Sequence, residues 1–152
     1  MLEYRTSEPE TRKEYMPMAH TIVFVCEHDA AKSVIAAAYF NQLASENNLD
    51  IRATARGTYP EAEISPKARV GLEKDGLLPT ELVPQKLSLD DVESAHGMVS
   101  FCELPEEYHE KVTIDRWDGI PPVSENYEMA RDEIIRRLHQ LINNMKSITK
   151  GA

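Results

Sequence analysis

The sequence predicts a small α/β domain in three layers, with a four-stranded parallel sheet between helices. Three observations lead there. Short runs rich in β-branched and aromatic residues alternate with stretches of helical spacing. The first run, Thr21 to Cys26, is apolar almost throughout, as a strand covered on both faces must be. The C-terminal stretch carries a long apolar stripe able to cover a sheet face. Strands separated by helices form a parallel sheet, because a crossover helix returns the chain to the end of the sheet where the previous strand began.

Taken in order, residues 1–19 read as a polar extension, with Tyr4, Tyr15 and Met18 as its candidate anchors, ahead of a domain spanning 20–152. After the first strand, Ala31 to Glu46 places Val34, Ile35, Ala38 and Leu43 at helical spacing, leaving Asn41, Gln42 and Ser45 for water. A second, weaker strand runs from Asp50 to Arg56 and stops at Gly57-Thr58-Tyr59-Pro60. Ser65-Pro66 reads as a cap followed by proline at the first helical position, with Ala68, Val70 and Leu72 as the buried side. Ser88 and Asp91 make a capping box with Asp in place of Glu. Gly97 to Cys102 and Lys111 to Ile114 supply the third and fourth strands. The last helix follows Trp117-Asp118-Gly119-Ile120-Pro121-Pro122, its stripe formed by Tyr127, Ile134, Leu138, Leu141 and Met145.

The chain has 152 residues, enough for one domain, and a formal charge of −9. An acidic surface argues against nucleic acid or anionic membrane as the main partner, since both are polyanions. Two cysteines, Cys26 and Cys102, sit in apolar runs outside any Cys-x-x-Cys pair. That usage suits a reducing cytoplasm, and no Cys/His cluster has the spacing of a metal site. The start lacks a signal-like apolar core, and no apolar run reaches membrane-spanning length.

The segment Cys26-Glu27-His28-Asp29-Ala30-Ala31-Lys32-Ser33 holds the candidate chemistry. A cysteine delivered by a strand to a loop that opens a helix meets backbone N–H groups and a cation, surroundings that favour a nucleophilic thiolate. The competing reading is a small buried thiol at a strand end. Lys32 supplies a point charge for an oxyanion or else a solvated head. Ser33 donates to the sulfur or satisfies the helix start. Glu27 and Asp29 repel anions and disfavour the thiolate, unless both point outward, or Asp29 pairs with Lys32 or braces the loop. His28 adds charge when protonated, or restricts a position where glycine would be free. Trp117 packs the loop before the last helix, and Tyr59 lines the cleft entrance.

These residues resemble the low-molecular-weight protein tyrosine phosphatases, and especially their thioredoxin-coupled arsenate reductase branch. The family pattern is Cys-x5-Arg-Ser after a strand, a Gly-Thr turn, a Ser-Pro-Lys helix start and a later Trp-x3-Asp-Pro. Here Cys26 takes the nucleophile position, Ser33 the hydroxyl position, Gly57-Thr58 the turn and Ser65-Pro66-Lys67 the helix start. The resemblance implies a sheet in the order second, first, third, fourth strand. It also implies a phosphocysteine mechanism without cofactor or metal, in which the loop N–H groups from Glu27 through His28, Asp29, Ala30 and Ala31 to Lys32 hold phosphate or a related oxyanion. Four departures weaken the chemistry. Arginine has become Lys32, the loop's Gly and Asn are His28 and Asp29, the general-acid Asp is Pro121, and only two cysteines exist. Asp118 and Asp115 are the acids left near that loop, of which Asp118 is preferred. Cys102, near the strand-end cysteine of the reductases, is a redox partner for Cys26 or a core thiol. Three functions stay open. They are weak hydrolysis of phosphate monoesters or phosphoproteins, an arsenate reductase-like cycle with a small thiol reductant, and a non-catalytic anion- or protein-binding descendant.

Overall fold

The computed structural model describes residues 20–151, with side chains to residue 146. The extension 1–19 and its candidate anchors Tyr4, Tyr15 and Met18 lie outside the described residues. The elements alternate as the pattern predicts: β1 (His20–Cys26), α1 (Lys32–Glu46), β2 (Ile51–Gly57), α2 (Pro66–Lys74), α3 (Leu89–Ser94), β3 (Gly97–Ser100), α4 (Glu106–His109), β4 (Ile114–Arg116) and α5 (Tyr127–Gly151). All pairings are parallel and the sheet order is β2-β1-β3-β4. Each strand therefore ends on the same side, and the loops after them gather there.

β1 is buried on both faces, which accounts for its unbroken apolar run. Ile22 and Phe24 pack into the larger core with Val34, Ile35 and Phe40 of α1 and Ile134, Leu138 and Ile142 of α5. Val23 and Val25 face a smaller core of Leu87, Val92, Met98 and Leu104. Trp117 is buried and packs edge-on against Phe24 and Phe101, with ring centroids 5.9 and 5.8 Å apart. It ties the end of β4 to the strand that carries Cys26.

The helix starts differ in a way that matters. Ser65 caps α2 by accepting from Ala68 N (3.3 Å), and Ser88 and Asp91 complete a reciprocal capping box on α3. α1 has Ala31 at that position and no side-chain cap. No side chain therefore satisfies its first-turn N–H groups.

Several expectations shift. Asn41 does not face water: its amide brackets the edge strand, donating to Ala53 O (3.2 Å) and accepting from Ala53 N (2.8 Å). Val70 is 42% exposed, and Gly71 takes the buried place beside Ala68 and Leu72. Positions 68, 71 and 72 share one helical face, whereas 70 lies across from it. The third strand ends at Ser100 rather than Cys102, because the Ser100 hydroxyl donates to Cys102 O (2.6 Å) and accepts from Cys102 N (3.1 Å), folding the chain back. The fourth strand begins at Ile114, since the turn of α4 and the bend after it occupy the preceding residues.

Candidate active site

The loop between β1 and α1 is held from outside by its carbonyls. Glu27 O accepts from Tyr59 N (2.7 Å), His28 O from Glu61 N (2.9 Å) and Ala30 O from Ser65 N (2.9 Å). With those carbonyls turned outward, the N–H groups of residues 27–31 donate to no described residue. Successive free N–H groups at an uncapped helix start form an anion-binding concavity. Gly57 makes the clamp compact, because a Cβ there would stand 2.8 Å from Asp29 Cβ and 2.9 Å from Asp29 N. That is the physical content of the Gly57-Thr58 turn.

Cys26 is half-buried at the base of the loop, with Sγ 3.0 Å from Ser33 Oγ. Ser33 is fully buried and donates to Asp29 Oδ1 (2.7 Å), and Asp29 Oδ2 accepts from Gln85 N (2.8 Å). Asp29 thus braces the loop rather than pairing with Lys32. It is 1% exposed, and burial pushes its carboxyl up to about 6 against the lowering pull of the Gln85 and Ser33 bonds. The left-handed backbone position falls on Asp29 (φ +50), not on His28. His28 is exposed, with Nδ1 3.1 Å from Tyr59 O and 3.4 Å from Glu61 Oε2. Glu27 is exposed too, so of the two loop acids only Asp29 turns inward. Lys32 is half-buried at the first turn of α1 and makes no ion pair with a described residue.

Cys102 follows β3 and packs half-buried against the smaller core. Burial pushes its thiol up against the Ser100 bond, with the charges of Cys26 and Glu27 adding to the rise. Arg116, at the end of β4, acts on Cys102 in the opposite sense. Its guanidinium is shared between Glu103 (2.8 Å) and Asp118 (3.0 Å). Asp118 is therefore exposed and paired at the rim, and its backbone carbonyl accepts from Arg137 (2.6 Å). Pro121 is half-buried. Tyr59 is 71% exposed and, with Lys86, Glu103 and Tyr108, walls a cleft of about 330 Å³ beside the loop. No three His, Cys, Asp or Glu side chains among the described residues converge where a metal ion could sit.

Sequence reasoning missed Gln85, Ser100 and Arg116. Gln85 acts through its backbone N–H, which carries no residue signature. Ser100 acts on a turn two residues long, and only the strand pairing brings Arg116 beside Cys102.

No protein-family model matches the sequence, and no curated protein matches it. Solved structures do. A mutant of YwlE from Bacillus subtilis is 22% identical with a TM-score of 0.73, covering 84% of this chain and 99% of that one. An arsenate reductase from Archaeoglobus fulgidus is 25% identical with a TM-score of 0.66, over 80% of this chain and 98% of its own. A low-molecular-weight protein tyrosine phosphatase from Bacillus subtilis is 20% identical with a TM-score of 0.72, over 84% and 97% respectively. The chain carries, in divergent form, the fold shared by low-molecular-weight protein tyrosine phosphatases and arsenate reductases. Within that fold Cys26 lies at the loop after β1.

Proposed function

We propose that the protein is a cysteine-dependent phosphatase of phosphate monoesters, working through a phosphocysteine at Cys26. The observation that carries this reading is the run of free N–H groups in the loop that follows Cys26 and opens an uncapped helix. In the first step the sulfur attacks phosphorus, the bond to the leaving oxygen breaks, and that oxygen departs with the electron pair and gains a proton. Water then attacks the phosphocysteine, releasing phosphate and returning the sulfur. The N–H groups stabilise the oxygens of the transferring group, and Lys32 adds a point charge without the bidentate grip of arginine.

Proton supply is the weak step. Pro121 has none to give, and Asp118 must exchange Arg116 for the leaving oxygen before it can act. Activated aryl phosphates escape this demand. Hydrolysis of an aryl phosphate with a good leaving group is expected to be slow in the wild type, absent in Cys26→Ser and weaker in Lys32→Ala. Asp118→Asn should leave that substrate untouched and slow an alkyl phosphate. Equal rates in wild type and Cys26→Ser would end the phosphatase reading.

Cys102 supports a second reading, a thiol cycle on arsenate. It stands at the neighbouring strand end, close enough for the charge of Cys26 to raise its thiol. Thiol-dependent arsenate reduction lost equally in Cys26→Ser and Cys102→Ser would favour it over hydrolysis.

A further inference from the structure

The bonds around Ser33 impose a count of protons. A hydroxyl has one proton to give, and an ionised carboxylate only accepts. Asp29 Oδ2 is taken by Gln85 N–H, and Oδ1 takes the Ser33 proton at 2.7 Å. Ser33 Oγ can then only accept from Cys26 across 3.0 Å, so that contact is a hydrogen bond only if the sulfur carries a proton. The reverse arrangement is equally constrained. If Cys26 is a thiolate, Ser33 turns its proton to sulfur, and Asp29 must be protonated to keep the 2.7 Å contact from joining two acceptors. Asp29 cannot swing away, being buried against Gly57 with both oxygens engaged.

We propose that Cys26 and Asp29 share a single proton through Ser33, which makes Asp29 the positioning residue that decides when Cys26 is a nucleophile. In the transfer the sulfur's proton passes to Ser33 Oγ as the Ser33 proton passes to Asp29 Oδ1. One negative charge moves from carboxylate to sulfur, and nothing is oxidised or lost. An asparagine at this position would act differently. Its oxygen would face Gln85 N–H and its NH2 would donate to Ser33, fixing the serine proton on the sulfur. The substitution at this loop position therefore reverses the polarity of the chain of bonds.

The groups facing Asp29 leave this balance near neutrality. Arg56 on β2 favours its charge and Glu81 opposes it, while the two pair with each other at 3.2 Å. Arg56 is shared further with Asp91 at the start of α3 (3.0 Å). On the other side, Glu27 is exposed and Lys32 stands at the helix start. Burial raises the Asp29 carboxyl to about 6, within reach of physiological change.

The inference goes beyond the phosphatase reading and is tested without turnover. Neutral iodoacetamide alkylates thiolates, and mass spectrometry reads Cys26 and Cys102 separately between about pH 4.5 and 10. While one proton is shared, the thiolate fraction does not vary with pH. Wild-type Cys26 should therefore rise in rate near pH about 6, hold a plateau and rise again in alkaline solution. Asp29→Asn should give one rise and alkylate Cys26 about tenfold faster at pH 7, because the amide fixes the Ser33 proton on the sulfur. Ser33→Ala should lower the plateau about tenfold, a second arm independent of how Asp29→Asn folds. Cys102, whose rate should change far less than that of Cys26, and retention of the folded far-UV circular dichroism report the fold. A single rise in wild type with Asp29→Asn coincident, or a plateau unaltered in Ser33→Ala, would overturn the proposal.

Discussion

Water opposes the burial of Asp29, yet the loop depends on its two oxygens. The sign of its pH effect follows from the carboxyl standing at about 6 when folded against an ordinary 3.8. The folded protein binds this proton more tightly, so the contribution is fully favourable below about pH 4 and is lost as pH rises through about 6. The difference corresponds to about 3 kcal/mol once the group is charged. Asp29→Asn, which keeps the bracing shape, should be more stable than wild type to urea at pH 7.5 by up to that amount. The advantage should disappear at pH 4, and a pH-independent difference would contradict the burial argument. Much of this was legible in residue types. The spacing of Cys26 and Ser33 placed the loop, and Asp29 was readable as a bracing residue. Its left-handed backbone was not, since His28 precedes it and either residue could have filled the turn. The Gln85 contact was invisible because a backbone N–H belongs to every residue but proline.

Between elements, the floor of the fold rests on one carboxylate. Asp75, just past α2, accepts from Tyr39 on α1 (2.5 Å) and from Tyr127 (2.8 Å) and Arg131 (3.2 Å) on α5. Burial pushes Asp75 up, but these donors outweigh it and hold the carboxyl below the usual range. Its contribution is present above the ordinary carboxylate value and lost as pH falls through the depressed one. Gly71 makes the junction close, because a Cβ there would meet the Tyr127 ring at 2.4 Å. Asp75→Ala should cost about 1–3 kcal/mol at pH 7, by leaving the two tyrosine hydroxyls without their acceptor and Arg131 with Asp132 alone. The loss should shrink in acid, and chemical unfolding at two pH values checks both. Periodicity gave the stripe of α5 and the caps of α2 and α3 directly. It misplaced Asn41 and Val70, since an amide that brackets a strand edge looks polar in sequence and a three-residue apolar cluster does not say which member faces out. α4 is four residues long and leaves no periodic trace.

Across the molecule, the sheet order assembles the candidate site, because it brings the ends of β1, β3 and β4 side by side. Cys26, Cys102 and Arg116 come from those ends, and their distances along the chain gave no hint of the Arg116 contacts. The fold was readable because each strand and helix carried its own burial pattern. The proposed chemistry was less so, since it depends on where protons sit. A phosphatase working through Cys26 must pass a phosphoryl group to the Cys26 sulfur. Wild-type protein mixed with an activated aryl phosphate and quenched within the first turnovers should show a mass increase of one phosphoryl group, about 80 Da, on the peptide carrying Cys26. The adduct should be absent from Cys102. Steady hydrolysis of the aryl phosphate by wild-type protein with no adduct on Cys26 at any quench time would contradict a phosphocysteine intermediate.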